Sequence, residues 1–357
     1  MTPQLDRRTF LKGVGLTAIA TACGGAATPS ASPAASAAAT KTAEPVAGTI
    51  SVYSALNEST NNEFFGAFKK AYPNVTVNVL ALAAAGELQT RIRTEKASPK
   101  VDIFIGGSSE FHDPLGKEGL LEAYIAPNAK DIDAKFKEPT GLWTGWYTGI
   151  FGFISNNTRL GEVGNKKPST WDDLLDPAWK GKLVLPSPIT TGGGYIFIAT
   201  QIFRFNKDEA KAMDFMKKLH ANIAQYVPTS PGALTLIDQG QFVGCPNWAH
   251  DILTEKGKGN PIDLSIPSDT GFEVGAVSIG KGTKNLAAAQ ALVNWSITKE
   301  AGELNVKLSN RGSTRADVAP APGAPTLSSV KLVNYDRDWA TSNKDRIIKL
   351  WQQTVGL

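Results

Sequence analysis

The 357-residue sequence contains only two cysteines, Cys23 and Cys245. A disulfide framework is therefore excluded as the source of its stability. Histidine is almost as scarce: His112, His220 and His250 are the whole set, and their spacing matches no metal-ligand motif. No Gly-x-Ser-x-Gly elbow is present, because Gly106-Gly107-Ser108-Ser109-Glu110 fails at its last position. Gly275–Gly282 approaches a phosphate loop, but Gly282 replaces the magnesium-binding hydroxyl and the middle reads as a strand. Phosphoryl transfer is not expected, and the lack of a nucleophile–base pair argues against an enzyme. Net charge is small, with 37 Lys+Arg against 33 Asp+Glu, and no basic run carries interleaved aromatics. That balance gives no support to a nucleic-acid partner. There is no internal repeat.

What the chain does have begins at its start. Asp6-Arg7-Arg8-Thr9-Phe10-Leu11-Lys12 places two arginines before the apolar run Gly13–Ala22. As a helix that run reaches roughly 15 Å, about half a hydrocarbon core, so it is too short to span. The flanks are those of a signal peptide, and the arginine pair resembles a twin-arginine export signal. Ala20-Thr21-Ala22-Cys23 resembles a lipoprotein cleavage box, although Ala20 stands where such boxes usually carry Leu. The expectation is a signal over residues 1–22 and lipidation of Cys23. Residues 23–46 are rich in Gly, Ala, Ser, Thr and Pro and read as a disordered linker. No later segment is long and apolar enough to cross a bilayer. Cys245 then lacks an intrachain partner and reads as a small buried hydrophobe.

About 310 residues remain, enough for two lobes with substantial cores. Thr49–Ser54 reads as a strand. Thr60 with Glu63 reads as a capping box opening a helix whose face carries Phe64, Phe68 and Tyr72. Val75–Leu80, Gly86–Ala97, Val101–Gly107 and a helix near 113–124 complete β-α-β-α-β, the pattern of a parallel sheet covered by helices. Gly149–Ser155 reads as a strand crossing into a second lobe. There Lys182–Leu185, Tyr195–Phe203, Asp208–Ala221, Gly244–Trp248 and Phe272–Ile279 repeat the logic. Asn285–Ile297, Glu300–Leu308 and Asp336–Trp351 read as helices. Ligands of such sheets bind beyond the carboxyl ends of the strands. Those ends are Ser54–Asn57 and Gly106–Ser109, both short and polar, and the turn at 186–194 follows the same pattern. Backbone amides at helix starts favour an anionic guest there, although Ser, Thr and Gly also dominate ordinary turns.

Four stretches carry a family resemblance: Pro188–Tyr195 (PITTGGGY), Trp248–Leu253 (WAHDIL), Thr270–Gly275 (TGFEVG) and Tyr335–Ala340 (YDRDWA). With the export segment and two α/β lobes, the chain resembles the extracellular solute-binding proteins of ATP-driven importers. These are grouped with ferric-iron binders. It looks most like the branch that includes hexose-phosphate and 2-aminoethylphosphonate binders. The resemblance covers about residues 48–355. It implies an α/β fold of the type II periplasmic-binding-protein kind, two lobes joined by hinge strands around a cleft. The lobes would be 47–150 plus 280–357, and 151–279.

The candidate ligand-binding residues are Ser54, Asn57, Ser108, Ser109, Thr190, Thr191, Gly192 and Gly193, with hydroxyls and amides suited to a phosphate or phosphonate. The resemblance adds His250, Asp251 and Glu273 for the other end of the ligand. Trp146 and Tyr147 line the cleft or pack in the core. The implied partners are a small anionic solute, a permease with its ATPase, and a membrane reached through lipid on Cys23. That places a monomer on the outer face of the cytoplasmic membrane, with no cofactor and no resident metal. Ferric iron is the rival cargo, but its capture uses a tandem tyrosine pair, and the seven tyrosines here are never adjacent. A surface phosphate-ester hydrolase and a polyamine binder are further alternatives.

Overall fold

The computed structural model describes residues 45–357, except Ala83. The expected signal, Cys23 and the linker up to residue 44 lie outside the described residues. The first half of the chain forms β1 (Gly48–Ser54), α1 (Glu58–Ala71), β2 (Val75–Ala81), α2 (Ala85–Thr94), β3 (Ile103–Ser108), α3 (Ser109–Lys117), β4 (Leu121–Glu122) and β5 (Thr144–Asn156). Next come β6 (Leu183–Pro186), α4 (Gly192–Arg204), α5 (Glu209–His220), β7 (Ile223–Val227), α6 (Ser230–Asp238), β8 (Gly244–Trp248), α7 (Ala249–Gly257) and β9 (Ile262–Ser265). The chain ends with β10 (Phe272–Gly280), α8 (Leu286–Ser296), α9 (Lys299–Ser309), β11 (Gly312–Ser313) and α10 (Arg337–Val355).

Several helices start earlier than the sequence pattern suggested, and the reason is local. Asn57, not Thr60, caps α1: its side-chain oxygen accepts from the Thr60 amide at 2.8 Å. This is ordinary N-cap chemistry. Helix α3 begins at Ser109, directly after its strand, instead of near 113. Helix α4 begins inside the glycine run, because the Thr191 side chain accepts from the Gly194 amide at 2.9 Å. In each case the helix start moves onto the polar turn at the strand end.

The strands are ordered β2-β1-β3-β10-β5-β8-β6-β7. β1 pairs in parallel with β2 and β3, and β6 pairs in parallel with β7 and β8. β10 runs antiparallel to β3 and β5. β5 joins the two halves. Its first part, up to Ile150, pairs with β10, and Phe151–Ser155 pairs with β8. All 13 of its residues are buried. Thr270 fastens the crossing: its hydroxyl donates to the Phe151 carbonyl at 2.6 Å, and the Val333 amide donates to the Thr270 carbonyl at 2.9 Å. Three chain segments therefore pass between the lobes at one place.

Each lobe has its own core. In the first, Phe64 meets Trp146 and Trp295 at ring-centroid distances of 4.8 and 4.9 Å. Helices α8 and α9 contribute Leu292, Val293 and Ala301 to it. The second is built on Phe151, Trp171, Phe197 and Met216. Helix α10 adds Ala340, Ile347 and Trp351 to this second core. Residues 280–357 are expected from sequence to belong wholly to the first lobe. The buried residues of the last helix join the second core against α4 and α5, while Lys344 on the same helix lies over the Phe111 ring of α3 in the first lobe.

Candidate functional site

Between the lobes lies a cleft of about 400 Å³. Its walls are mainly helix starts. Asn57 and Glu58 open α1, Ala84 and Ala85 open α2, and Ser108 caps α3. From the other side come Thr191, Gly192 and Gly193 of α4, Ser230 and Pro231 of α6, and Trp248, His250 and Asp251 of α7. Six helices thus direct their N-terminal ends toward one volume. Each N-terminus carries unpaired amides and the positive end of a helix dipole. Those amides and dipoles favour a negatively charged guest without a cluster of lysines.

The close approach of the walls is encoded by glycine. Gly106 and Gly107 sit at φ of +82° and +73°, a region that favours glycine. A Cβ on Gly107 would collide with Ala85, and one on Gly192 would lie 2.9 Å from the Phe111 ring. A Cβ on Gly149 of β5 would stand 2.9 Å from both Glu273 Oε1 and His250 Cε1. That glycine makes room for the two polar side chains.

A buried polar group occupies one end of the cleft. Arg311 is 9% exposed, and its guanidinium carbon lies 5.0 Å from the centre of the Tyr147 ring. Arg311 Nη2 is 3.8 Å from Asp251 Oδ1, while Nε and Nη1 have no hydrogen-bond partner among the described residues. Among the described residues, neither ring nitrogen of His250 has a hydrogen-bond partner, nor has the Ser108 hydroxyl. Burial pushes the His250 pKa well below its ordinary value, and the Arg311 charge adds to this. His250 is neutral at pH 7, so its 3.5 Å approach to Asp251 is not an ion pair. Burial raises the Asp251 pKa. Burial also raises Glu273 to about 8, against the pull of Arg311, with Asp251 and Glu110 adding repulsion. Glu273 therefore holds a proton at neutral pH and can donate a hydrogen bond. The unpaired donors of Arg311 and Ser108 are costly unless a guest satisfies them.

Of the residues singled out from sequence, Asn57, Ser108, Thr191, Gly192, Gly193, His250, Asp251 and Glu273 meet in the cleft. Three do not line it. Ser54 is fully buried and donates to Asn61 Oδ1 at 2.6 Å, bracing the turn behind Asn57. Ser109 is buried beside Glu110 Oε2 at 3.5 Å. Thr190 turns outward and donates to the Pro228 carbonyl at 2.8 Å. Tyr147 lines the cleft and Trp146 packs in the first core. Arg311 carries no sequence signal of its role. It follows α9 in a short loop, and no motif marks it.

A ligand-sized cleft between two lobes, with polar groups converging from both, defines a binding protein. Residues 98–339 match the family described as bacterial extracellular solute-binding protein, and the chain belongs to that family. A structure of the periplasmic binding protein AfuA from Actinobacillus pleuropneumoniae, with fructose 6-phosphate bound, superposes with a TM-score of 0.81. It is 31% identical, and the match covers 87% of this chain and 99% of that one. A putative 2-aminoethylphosphonate-binding periplasmic protein of Salmonella typhimurium is 24% identical over 76% of this chain and 80% of its own length. Iron-bound HitA from Pseudomonas aeruginosa shares the fold, with a TM-score of 0.76 at 19% identity over 88% of this chain and 100% of that one. The fold expected from sequence, a periplasmic-binding-protein α/β architecture, is the one observed.

Proposed function

We propose that the chain captures a small organic anion bearing a phosphate or phosphonate and delivers it to a membrane permease driven by an ATPase. One observation carries this reading. Helix N-termini from both lobes converge on a cleft where Ser108, His250 and Arg311 hold unpartnered polar atoms. An oxyanion fits between the Ser108 hydroxyl on one side and the Gly192–Gly193 amides at the start of α4 on the other. His250, Asp251, Glu273 and Asn57 then face the rest of the molecule. A protonated Glu273 suits this arrangement, since an ionised one would repel the guest. Ligand contacts drawn from both lobes favour the closed state, which is the form offered to the permease. The protein acts as a monomer held by lipid on Cys23 at the outer face of the cytoplasmic membrane, and it catalyses no reaction.

Ferric iron fits the donors less well. Tyr147 is the tyrosine that lines the cleft among the described residues, and the Tyr195 hydroxyl is turned away to donate to the Ala340 carbonyl. Burial holds the Tyr147 phenol protonated. Thermal shift and calorimetry with fructose 6-phosphate, 2-aminoethylphosphonate, inorganic phosphate and ferric citrate test the proposal. A true ligand raises the melting temperature with concentration, by about 2.7 kcal/mol of stability at 100 times its Kd. Failure of all three phosphorus compounds sinks the organophosphate reading. A visible tyrosinate–iron band would put iron in its place.

A further inference from the structure

His112 lies behind the cleft wall and is not one of the residues that line it. It is fully buried on α3, and its ring stacks on Phe104 with centroids 3.9 Å apart and planes within 8°. Its two nitrogens span two elements. Nε2 is 3.1 Å from the Gly106 carbonyl oxygen, and Nδ1 meets the Ser278 hydroxyl of β10. A carbonyl only accepts, so Nε2 must carry the proton. Nδ1 then accepts from the Ser278 hydroxyl. The neutral ring is the form that satisfies both contacts, and burial holds it neutral by depressing its pKa to about 3.

The Gly106 carbonyl needs this donor because of an irregularity in the ladder. From the Ile105–Val277 pair to the Ser108–Gly275 pair, β3 advances three residues while β10 advances two. The extra residue is a bulge at Gly106–Gly107, both at positive φ. The Gly106 carbonyl lies within this bulge, and Gly107 and Ser108 just beyond it line the cleft. An unpaired buried carbonyl would leave that bulge free to relax.

We infer that His112 is a positioning residue for ligand binding: it clamps the Gly106–Gly107 bulge to β10 and so fixes the Gly107–Ser108 edge of the cleft. The clamp also ties that edge to the strand that carries Glu273, so both ends of the site share one support. The importance of this for affinity rests on the anion reading above, but the clamp itself does not.

The test uses the full chain without ligand, and then with fructose 6-phosphate. Amide hydrogen exchange is measured for His112→Phe, which keeps the stack and loses both hydrogen bonds, and for His112→Gln, which restores a donor and an acceptor. In H112F, exchange at Gly107, Ser108 and Ser109 rises by about tenfold or more while the first turn of α4 is unchanged. H112Q returns those amides toward wild type. No local rise in H112F, or a rise spread evenly across the first lobe, overturns the inference. If H112F does not fold, Ser278→Ala frees Nδ1 and raises exchange at the same three amides, and unchanged exchange there overturns it equally. Fructose 6-phosphate binding weakens about tenfold in H112F and recovers in H112Q, and equal affinity in all three proteins also overturns it. Failure of the wild type to bind fructose 6-phosphate counts against that ligand, while the exchange result still decides the clamp.

Discussion

Glu273→Gln tests the electrostatics of the cleft without any ligand. The folded protein holds a proton on Glu273 up to about pH 8, whereas an unfolded glutamate releases it near 4.5. Between those values the native state binds more protons than the unfolded state, so this group's contribution is fully present below about 4.5 and falls as pH rises. At about 1.4 kcal/mol per pH unit, the full window is worth roughly 5 kcal/mol. Burial supplies most of it, with Arg311 opposing and Asp251 and Glu110 reinforcing. Other buried groups add slopes of their own. Asp251 acts in the same direction. His112 and His250, both depressed, contribute stability that is lost as pH falls. The informative quantity is therefore the difference between E273Q and wild type. Gln mimics the protonated acid, so the two should be similarly stable at pH 5. E273Q should gain by roughly 3–4 kcal/mol relative to wild type by pH 8.5. Urea denaturation of ligand-free protein in phosphate-free buffers, fitted with a common slope, measures this. A difference that stays flat from pH 5 to 8.5 would show that Glu273 is ionised in the cleft and that the reasoning is wrong.

Further outcomes follow from the same geometry. Arg311→Met removes the buried cation and its unpartnered donors, and should weaken a phosphate ester by roughly 100-fold or more in calorimetry. Phe64→Ala empties the space between Trp146 and Trp295 and should cost about 3–5 kcal/mol in chemical denaturation. Cys23→Ser should move the protein from the membrane to the soluble fraction on cell fractionation, and retention in the membrane would refute lipidation at that residue.

Much of the fold was legible because the strands are short apolar runs ending in polar turns. Val101–Gly107 could be read as a buried strand, and its Gly-Ser ending could be read as a ligand edge. The helix ends were less legible. A capping side chain such as Asn57 or Thr191 decides the start, and several Ser and Thr residues compete for that role. The same competition explains the site. Thr190 and Thr191 look alike in sequence, yet one hydroxyl reaches the Pro228 carbonyl and the other caps α4. Tyr147 was ambiguous because every residue of β5 is buried, so no alternation separates cleft from core. Arg311 could not be found from pattern. It is one of 37 basic residues, and its burial arises only when the loop after α9 folds against Tyr147 and Asp251.

Helix α10 sets the timetable of folding. The second core begins with Phe151 yet receives Ala340, Ile347 and Trp351 from the far end of the chain. A ribosome-bound chain that has completed β6, α4 and α5 still exposes the surface this helix will cover. Contacts of such sequence separation carry a loop-closure cost and form late. The second lobe cannot close until residues 340–351 have been made, and a nascent or truncated form lacking α10 would present a sticky apolar face to its surroundings.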